Sequence, residues 1–331
     1  MFGEGAAMNW ARFRASPYFP ATVLVFILAT AAAIFAGSYT YVMAKPTPRH
    51  VPIAVVAPYG DNELRDFLAA MNGGLSGTLE MRGFDSYGPA LRELYSQQVF
   101  AIVEKRAPGI EVDIATASGA SVADLLAQTA VTAGSETQHA VTVTDLIPLQ
   151  EGDPRGLGLF YITLAAIIVG FVGAIQLGVH ASGLGPHARI AFTAAYALFG
   201  GFAIAATVDW GLGALELPFP ESWVILALTM FTAGMVFTMF DKLFGRWAMV
   251  PTWGLLVILG NPSSGGAVSW PLLPAMFAVI GRWLPPGASV QAQHTAVYFR
   301  AHQDLFPFLV LAGWAVVTCA VYLFSARRPR R

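Results

Sequence analysis

The side chains able to do chemistry in this chain are few and scattered. Lys45, Lys105 and Lys242 are the only lysines and none follows a glycine, so the phosphate-cradling loop that ends in Gly-Lys-Ser or Gly-Lys-Thr is absent. The chain hydrolyses no ATP through such a loop of its own. Cys319 is the single cysteine, which excludes a disulfide within the chain. His139 has no cysteine, histidine or carboxylate at metal-ligand spacing. Asp61, Glu63, Asp66, Glu80, Asp85, Glu93 and Asp113 are spaced as solvated faces and helix caps rather than as acid–base pairs. His294, Arg300, His302, Gln303 and Asp304 crowd one short stretch, but with no nucleophile or metal spacing they read as a polar collar before the last apolar segment. No cofactor is implied, and the chain is not expected to be an enzyme.

The elements that hold these residues are mostly apolar. The sequence is 56% hydrophobic and 12% charged with a formal net charge of -1, so no global basic field points to nucleic acid. A helix rises 1.5 Å per residue, and about 20 apolar residues cross roughly 30 Å of hydrocarbon. Residues 21–43, 157–179, 188–208, 223–240 and 306–324 meet that length, and 247–260 is a shorter sixth stretch that Leu243 and Phe244 can extend. The expectation is an α-helical integral membrane protein of about six transmembrane helices with an inserted extracytoplasmic α/β domain. Its segments would be a cytoplasmic N-terminal segment (1–20), a first transmembrane helix (21–44), the α/β domain (45–155), five further transmembrane helices (156–326) and a basic tail (327–331). Arg12, Arg14 and the alanines at 31–33 would also suit a cleaved signal peptide, but the apolar run continues through Tyr39 and Tyr41 to Lys45, which is anchor length.

Orientation follows from the basic residues, which concentrate in cytoplasmic loops. With six spans, Arg12, Arg14, Arg189, Lys242, Arg246, Arg327, Arg328, Arg330 and Arg331 all fall on one side, whereas residues 209–221 carry Asp209, Glu216 and Glu221 without Lys or Arg. Both termini are therefore expected in the cytoplasm and the domain outside. Asp209, Asp241 and His180 sit at span ends, and Gln176 is the main polar residue inside one, which gives proton coupling little support.

Within the domain, Val51–Ala57 reads as a strand, and Leu64, Phe67, Leu68 and Met71 repeat at helical spacing after an Asp61 or Asn62 cap. A second helix carries Tyr87, Leu91, Leu94 and Tyr95, followed by strands at 99–103 and 110–114. A third helix holds Val122, Leu125, Leu126 and Thr129, and a last strand holds Val141 and Val143. Strands alternating with helices predict a small α/β unit. The domain is expected to bind or gate rather than catalyse.

Residues 271–284 are apolar but only about 14 long, too short to cross, and read as part of a re-entrant or interfacial segment near 262–305 or as a lid on the helix ends. Just before it stand Asn261, Pro262, Ser263, Ser264, Gly265 and Gly266. Asn261 before a proline disfavours helix and the two glycines permit sharp turns, so the element ends the fifth apolar stretch and is a candidate outer gate.

One span, an inserted domain and five spans with an irregular segment before the last form a layout with local signatures. These are Asp145-Leu-Ile-Pro-Leu-Gln-Glu-Gly-Asp-Pro-Arg-Gly-Leu, Gly260-Asn-Pro-Ser-Ser-Gly-Gly and Leu284-Pro-Pro-Gly. Together they resemble the ABC-2-type exporter permeases, in an actinobacterial branch close to the YhgE/Pip (phage infection protein) group. The resemblance implies a permease subunit in the bacterial plasma membrane, a homodimer or paired half-transporter, that recruits a separate cytoplasmic ATP-binding-cassette ATPase. It would move a hydrophobic or envelope-related substrate outward. It further implies a connecting helix at residues 9–14, with Arg12 and Arg14, and ATPase contact through the loop bearing His180, His187 and Arg189. The same arginines would equally enforce topology and meet anionic membrane lipid. The alternative that the group suggests is a non-transporting envelope receptor or scaffold.

Overall fold

The computed structural model describes residue 10 and residues 12–44, 46–56 and 61–327. Lys45, Arg328, Arg330 and Arg331 lie outside them, as does Ala57 at the end of the first expected strand. The first long helix, α1 (Tyr18–Met43), starts three residues before the expected 21. Its most apolar stretch buries none of its residues against the rest of the protein, so its side chains are suited to lipid rather than to a core.

The domain between α1 and the remaining long helices is a five-stranded mixed sheet. Its elements run β1 (Val51–Val56), α2 (Asn62–Gly74), β2 (Leu79–Phe84), α3 (Tyr87–Tyr95), β3 (Ala101–Arg106), β4 (Gly109–Ile114), α4 (Ala120–Thr137) and β5 (Val141–Asp145). The strand order is β2-β1-β3-β4-β5. Pairing is parallel except between β3 and β4. Every residue of β1 is buried, as a central strand covered on both faces requires. Alternate side chains face opposite ways. Val51, Ile53 and Val55 pack with Phe67 and Met71 of α2 and Leu126 of α4, whereas Ala54 and Val56 pack with Ala90 and Leu94 of α3. Asp61 caps α2 by accepting from the Glu63 and Leu64 amides at 3.0 and 3.2 Å. The edge strand β2 is absent from the expected elements, although Leu79 and Met81 alternate with Glu80 and Arg82; its burial does not follow that alternation.

The second half carries α5 (Gly158–His180), α6 (Pro186–Ala206), α7 (Phe219–Phe244) and, last, α11 (Phe306–Arg327). With α1 these make five helices long and apolar enough to cross a membrane. The α7 helix is the centre of the bundle, with 72% of its most apolar stretch buried. Small residues let neighbours approach it. A Cβ on Gly170 of α5 would meet the Met230 backbone, and one on Gly201 of α6 would meet that of Ala227.

The sixth apolar stretch is not a sixth long helix. It comprises a five-residue α-helix, α8 (Met249–Trp253), and seven residues of π-helix, Gly254–Gly260. Together they rise at most about 18 Å, short of the roughly 30 Å of a bilayer core. Phe35 of α1 stacks on Trp253, with ring centroids 5.7 Å apart.

Between this stretch and α11 the chain makes a helical hairpin from α9 (Ala275–Gly281) and α10 (Pro285–Tyr298). Proline suits the first position of α10, where its missing N–H costs nothing. Ser289 Oγ of α10 lies 2.7 Å from Thr229 Oγ1 of α7 and 3.4 Å from Thr163 Oγ1 of α5. Thr229 is about 15 Å along α7 from its start. The turn of the hairpin is therefore sunk well below the end of the bundle that faces the sheet.

Candidate functional site

The hairpin is fastened to the sheet domain at both ends. On the descending side, the Ser269 amide donates to Ser121 Oγ at 3.1 Å and the Arg49 amide donates to the Pro271 carbonyl at 2.8 Å. Leu272 enters the core beside α2 and α4. On the ascending side, Phe299 enters the core beside α3, Gln97 Nε2 donates to Thr295 Oγ1 at 3.1 Å, and His302 stacks on Tyr95 at 5.5 Å. The two faces of one sheet thus receive the two arms of one hairpin.

Between these attachments lies a cavity of about 660 Å³. The domain supplies Gln97, Phe100 and the wall from Ser118 to Ser121. The peptide leading to α5 supplies Leu149 and Arg155. The hairpin region supplies Trp270, Arg282, Val290 and His294, and the approach to α11 adds Asp304 and Phe306. The candidate gate is split by this geometry. Ser263, Ser264, Gly265 and Gly266 line the cavity. Asn261 and Pro262 are buried away from it, and Asn261 faces Tyr39 of α1. Gly265 has φ +80° with open space beside it, a backbone conformation that costs a side chain dearly and glycine nothing.

His294 joins the cavity to the domain. Its Nδ1 lies 3.2 Å from the Ala117 carbonyl, and since a carbonyl only accepts, Nδ1 carries the proton. Burial pushes the imidazole below its usual range, against the opposing pull of the Ala117 carbonyl and the Asp153 charge. Of the polar collar, only His294 and Asp304 reach the cavity. Asp304 caps α11 through the Phe306 amide at 2.9 Å, and Gln303 donates to Glu221 Oε1 at 2.8 Å. Among the described residues, no three His, Cys, Asp or Glu side chains are placed to hold a metal ion.

The other candidate residues lie at the opposite end of the bundle. Arg12 and Arg14 precede α1, with the Arg14 guanidinium 5.4 Å from the Trp10 ring centre. His187 opens α6, and Arg189 lies beside Gly178 of α5. None of these meets the cavity. Arg155, Ser118 and Arg282 were not singled out by the sequence reading. For Arg282 a signal existed, since it is the one charge inside the apolar run 271–284.

Fold and site together define a helical protein with five helices of membrane-spanning length, whose mixed-sheet domain grips a helical hairpin over a cavity. No protein-family model, no curated protein and no solved structure matches the chain.

Proposed function

We propose that this chain is the membrane-spanning permease subunit of an ABC-2-type exporter in the bacterial plasma membrane, with both termini cytoplasmic and the sheet domain outside. A separate ATP-binding-cassette ATPase supplies the energy at the end of the bundle bearing Arg12, Arg14, His187 and Arg189, and the substrate is hydrophobic or envelope-related. The observation that carries this reading is the hairpin held at both ends by the domain and seated against α5 and α7 through Ser289. Any relative movement of α5 and α7 is passed to the cavity walls and the domain, which is what an exit gate requires. The short Met249–Gly260 stretch would carry the chain only part of the way outward, to Asn261. Arg12, Arg14, Arg189, Lys242 and Arg246 would lie together at the ATPase end, and two copies would form the working unit.

Co-expression with an ATP-binding-cassette ATPase encoded beside it, joint purification and assay of ATP turnover test the reading. The expected result is turnover several-fold above that of the ATPase alone. A chain that never associates with an ATPase would leave the domain as an anchored envelope receptor or scaffold.

A further inference from the structure

The cavity is built for a particular chemistry. Arg155 and Arg282 line it, and among the described residues neither makes an ion pair. Arg282 instead lies over the Phe306 ring, 4.9 Å from its centre. The cavity's carboxylate, Asp304, is engaged by the Phe306 amide and by Gln291. On the same wall, α4 begins at Ala120 with no side-chain cap. An 18-residue helix therefore turns its uncapped positive end toward the space. Ser118 Oγ, beside it, is shielded from solvent and has no hydrogen-bond partner. Arg155 and Arg282 are exposed at the rim, so the uncapped helix end and two guanidinium groups without ion pairs together suit an anion.

Part of the remaining lining is apolar, beside Ser263, Ser264, Gln291 and His294. Phe100 and Trp270 pack with ring centroids 5.9 Å apart, and Val290 and Phe306 complete that side. The outer wall is a single helix. Ala278 of α9 and Arg282 just after it line the cavity, whereas Met276, Val279 and the nearby Trp283 are each more than half exposed. Such a face is stable against acyl chains and poorly suited to water. This short helix thus turns one side to the cavity and an exposed apolar side away from it, and Arg282 follows directly on it. The volume falls within the roughly 300–1,000 Å³ of small-molecule sites.

We propose that this cavity binds an amphiphile with an anionic, phosphate-like head, drawn from the adjacent membrane leaflet. Its head lies among Arg155, Arg282, Ser118 and the start of α4, and its tail along Trp270 and α9. The proposal deepens the exporter reading, on which it rests for the side of the membrane involved. Its test needs no ATPase, so the two can fail separately.

The full chain is reconstituted in nanodiscs of equal phosphatidylcholine and phosphatidylglycerol, and lipid retained after mild detergent release is counted by native mass spectrometry. Wild type should retain phosphatidylglycerol several-fold over phosphatidylcholine. Arg155→Gln with Arg282→Gln should bring the ratio close to one, while Arg155→Lys with Arg282→Lys should keep most of the preference. Lys242→Gln with Arg246→Gln, at the far end of the bundle, should leave it unchanged, which separates the cavity from a general annulus of anionic lipid. A glutamine double variant as selective as wild type would overturn the proposal. So would loss of bound phosphatidylglycerol on adding millimolar inorganic phosphate, because the site would then belong to a free anion.

Discussion

Gly281 lies so close to the Ser263 carbonyl that a Cβ built on it has nowhere to go. The turn of the hairpin is thereby locked against the candidate gate residues. Gly287 in turn abuts the Gly281 carbonyl, and Gly260 abuts Pro286. Gly281 and Gly287 thus replace side-chain packing with backbone contact where α9 turns into α10.

Gly281→Ala should therefore destabilise the protein by about 1–3 kcal/mol, the usual range for forcing atoms into a filled core. Gly265→Ala tests a different cause. Nothing lies within 4 Å of the added carbon, but φ is +80°, and left-handed backbone costs a side chain about 1–2 kcal/mol. Gly37→Ala, in the open middle of α1, should cost nothing. Melting of the three variants followed by tryptophan fluorescence checks the order. A Gly281→Ala protein that melts with wild type would contradict the close contact.

The glycines also mark where the sequence stops being legible. Long apolar runs are readable because the bilayer sets one length for all of them, and five membrane-length helices lie where the runs predict. Buried strands are readable in two ways: β1 because a strand covered on both faces is apolar throughout, and β4 because Ile110, Val112 and Ile114 alternate with Glu111 and Asp113. The edge strand β2 alternates only from Leu79 to Arg82 before Gly83 ends the pattern, the shortest run that marks a strand. The run 247–260 has the composition of a span but breaks into π geometry, which no periodicity reports. The cavity was half visible. Residues 263–266 announce a turn through their own types, whereas Arg155, Ser118 and the start of α4 are joined to them only by tertiary packing across more than a hundred residues.

The grip of the domain on the hairpin should fail in parts. Ser121→Ala removes the acceptor of the Ser269 amide and leaves that amide unpaired, a cost of about 1–3 kcal/mol. Gln97→Ala removes the donor to Thr295 at about 0.5–1.5 kcal/mol. Hydrogen exchange should show faster opening near Ser269 in the first variant and near Thr295 in the second, while β1 amides stay protected. Equal loss of protection in β1 would mean that the domain unfolds rather than lets go.

Asp153 fastens the start of α5 to the peptide that leaves the domain. Its carboxylate is nine-tenths buried and accepts from the Leu157 and Gly158 amides at 3.0 and 2.7 Å. Asp153→Ala should cost about 1–2 kcal/mol, as loss of a capping group does at the upper end of its range. Asp153→Asn keeps an acceptor but loses the charge that favours a helix start, and should fall between. Chemical denaturation of the purified variants orders the three. Asn and Ala variants of equal stability would show that the charge contributes nothing there.

His294 gives the fold a pH dependence of definite sign. Its folded-state pKa lies below the ordinary value of about 6.5. Above that value the imidazole is neutral folded or unfolded and contributes no slope. As pH falls below it the unfolded chain takes up the proton first, so stability declines until the folded-state pKa is passed, then levels off. The charged groups facing the ring do not reverse this, because Asp153 and the Ala117 carbonyl pull the pKa up less than burial pushes it down. Melting temperature should therefore drop as pH falls below about 6.5, with a slope for one proton of at most about 1.4 kcal/mol per pH unit. His294→Gln keeps an amide donor for Ala117 and should flatten the wild-type curve in this window, leaving whatever slope the other histidines supply. If the glutamine variant retains the full wild-type slope, the proton is taken up elsewhere and His294 is not the pH-sensitive tie between domain and hairpin.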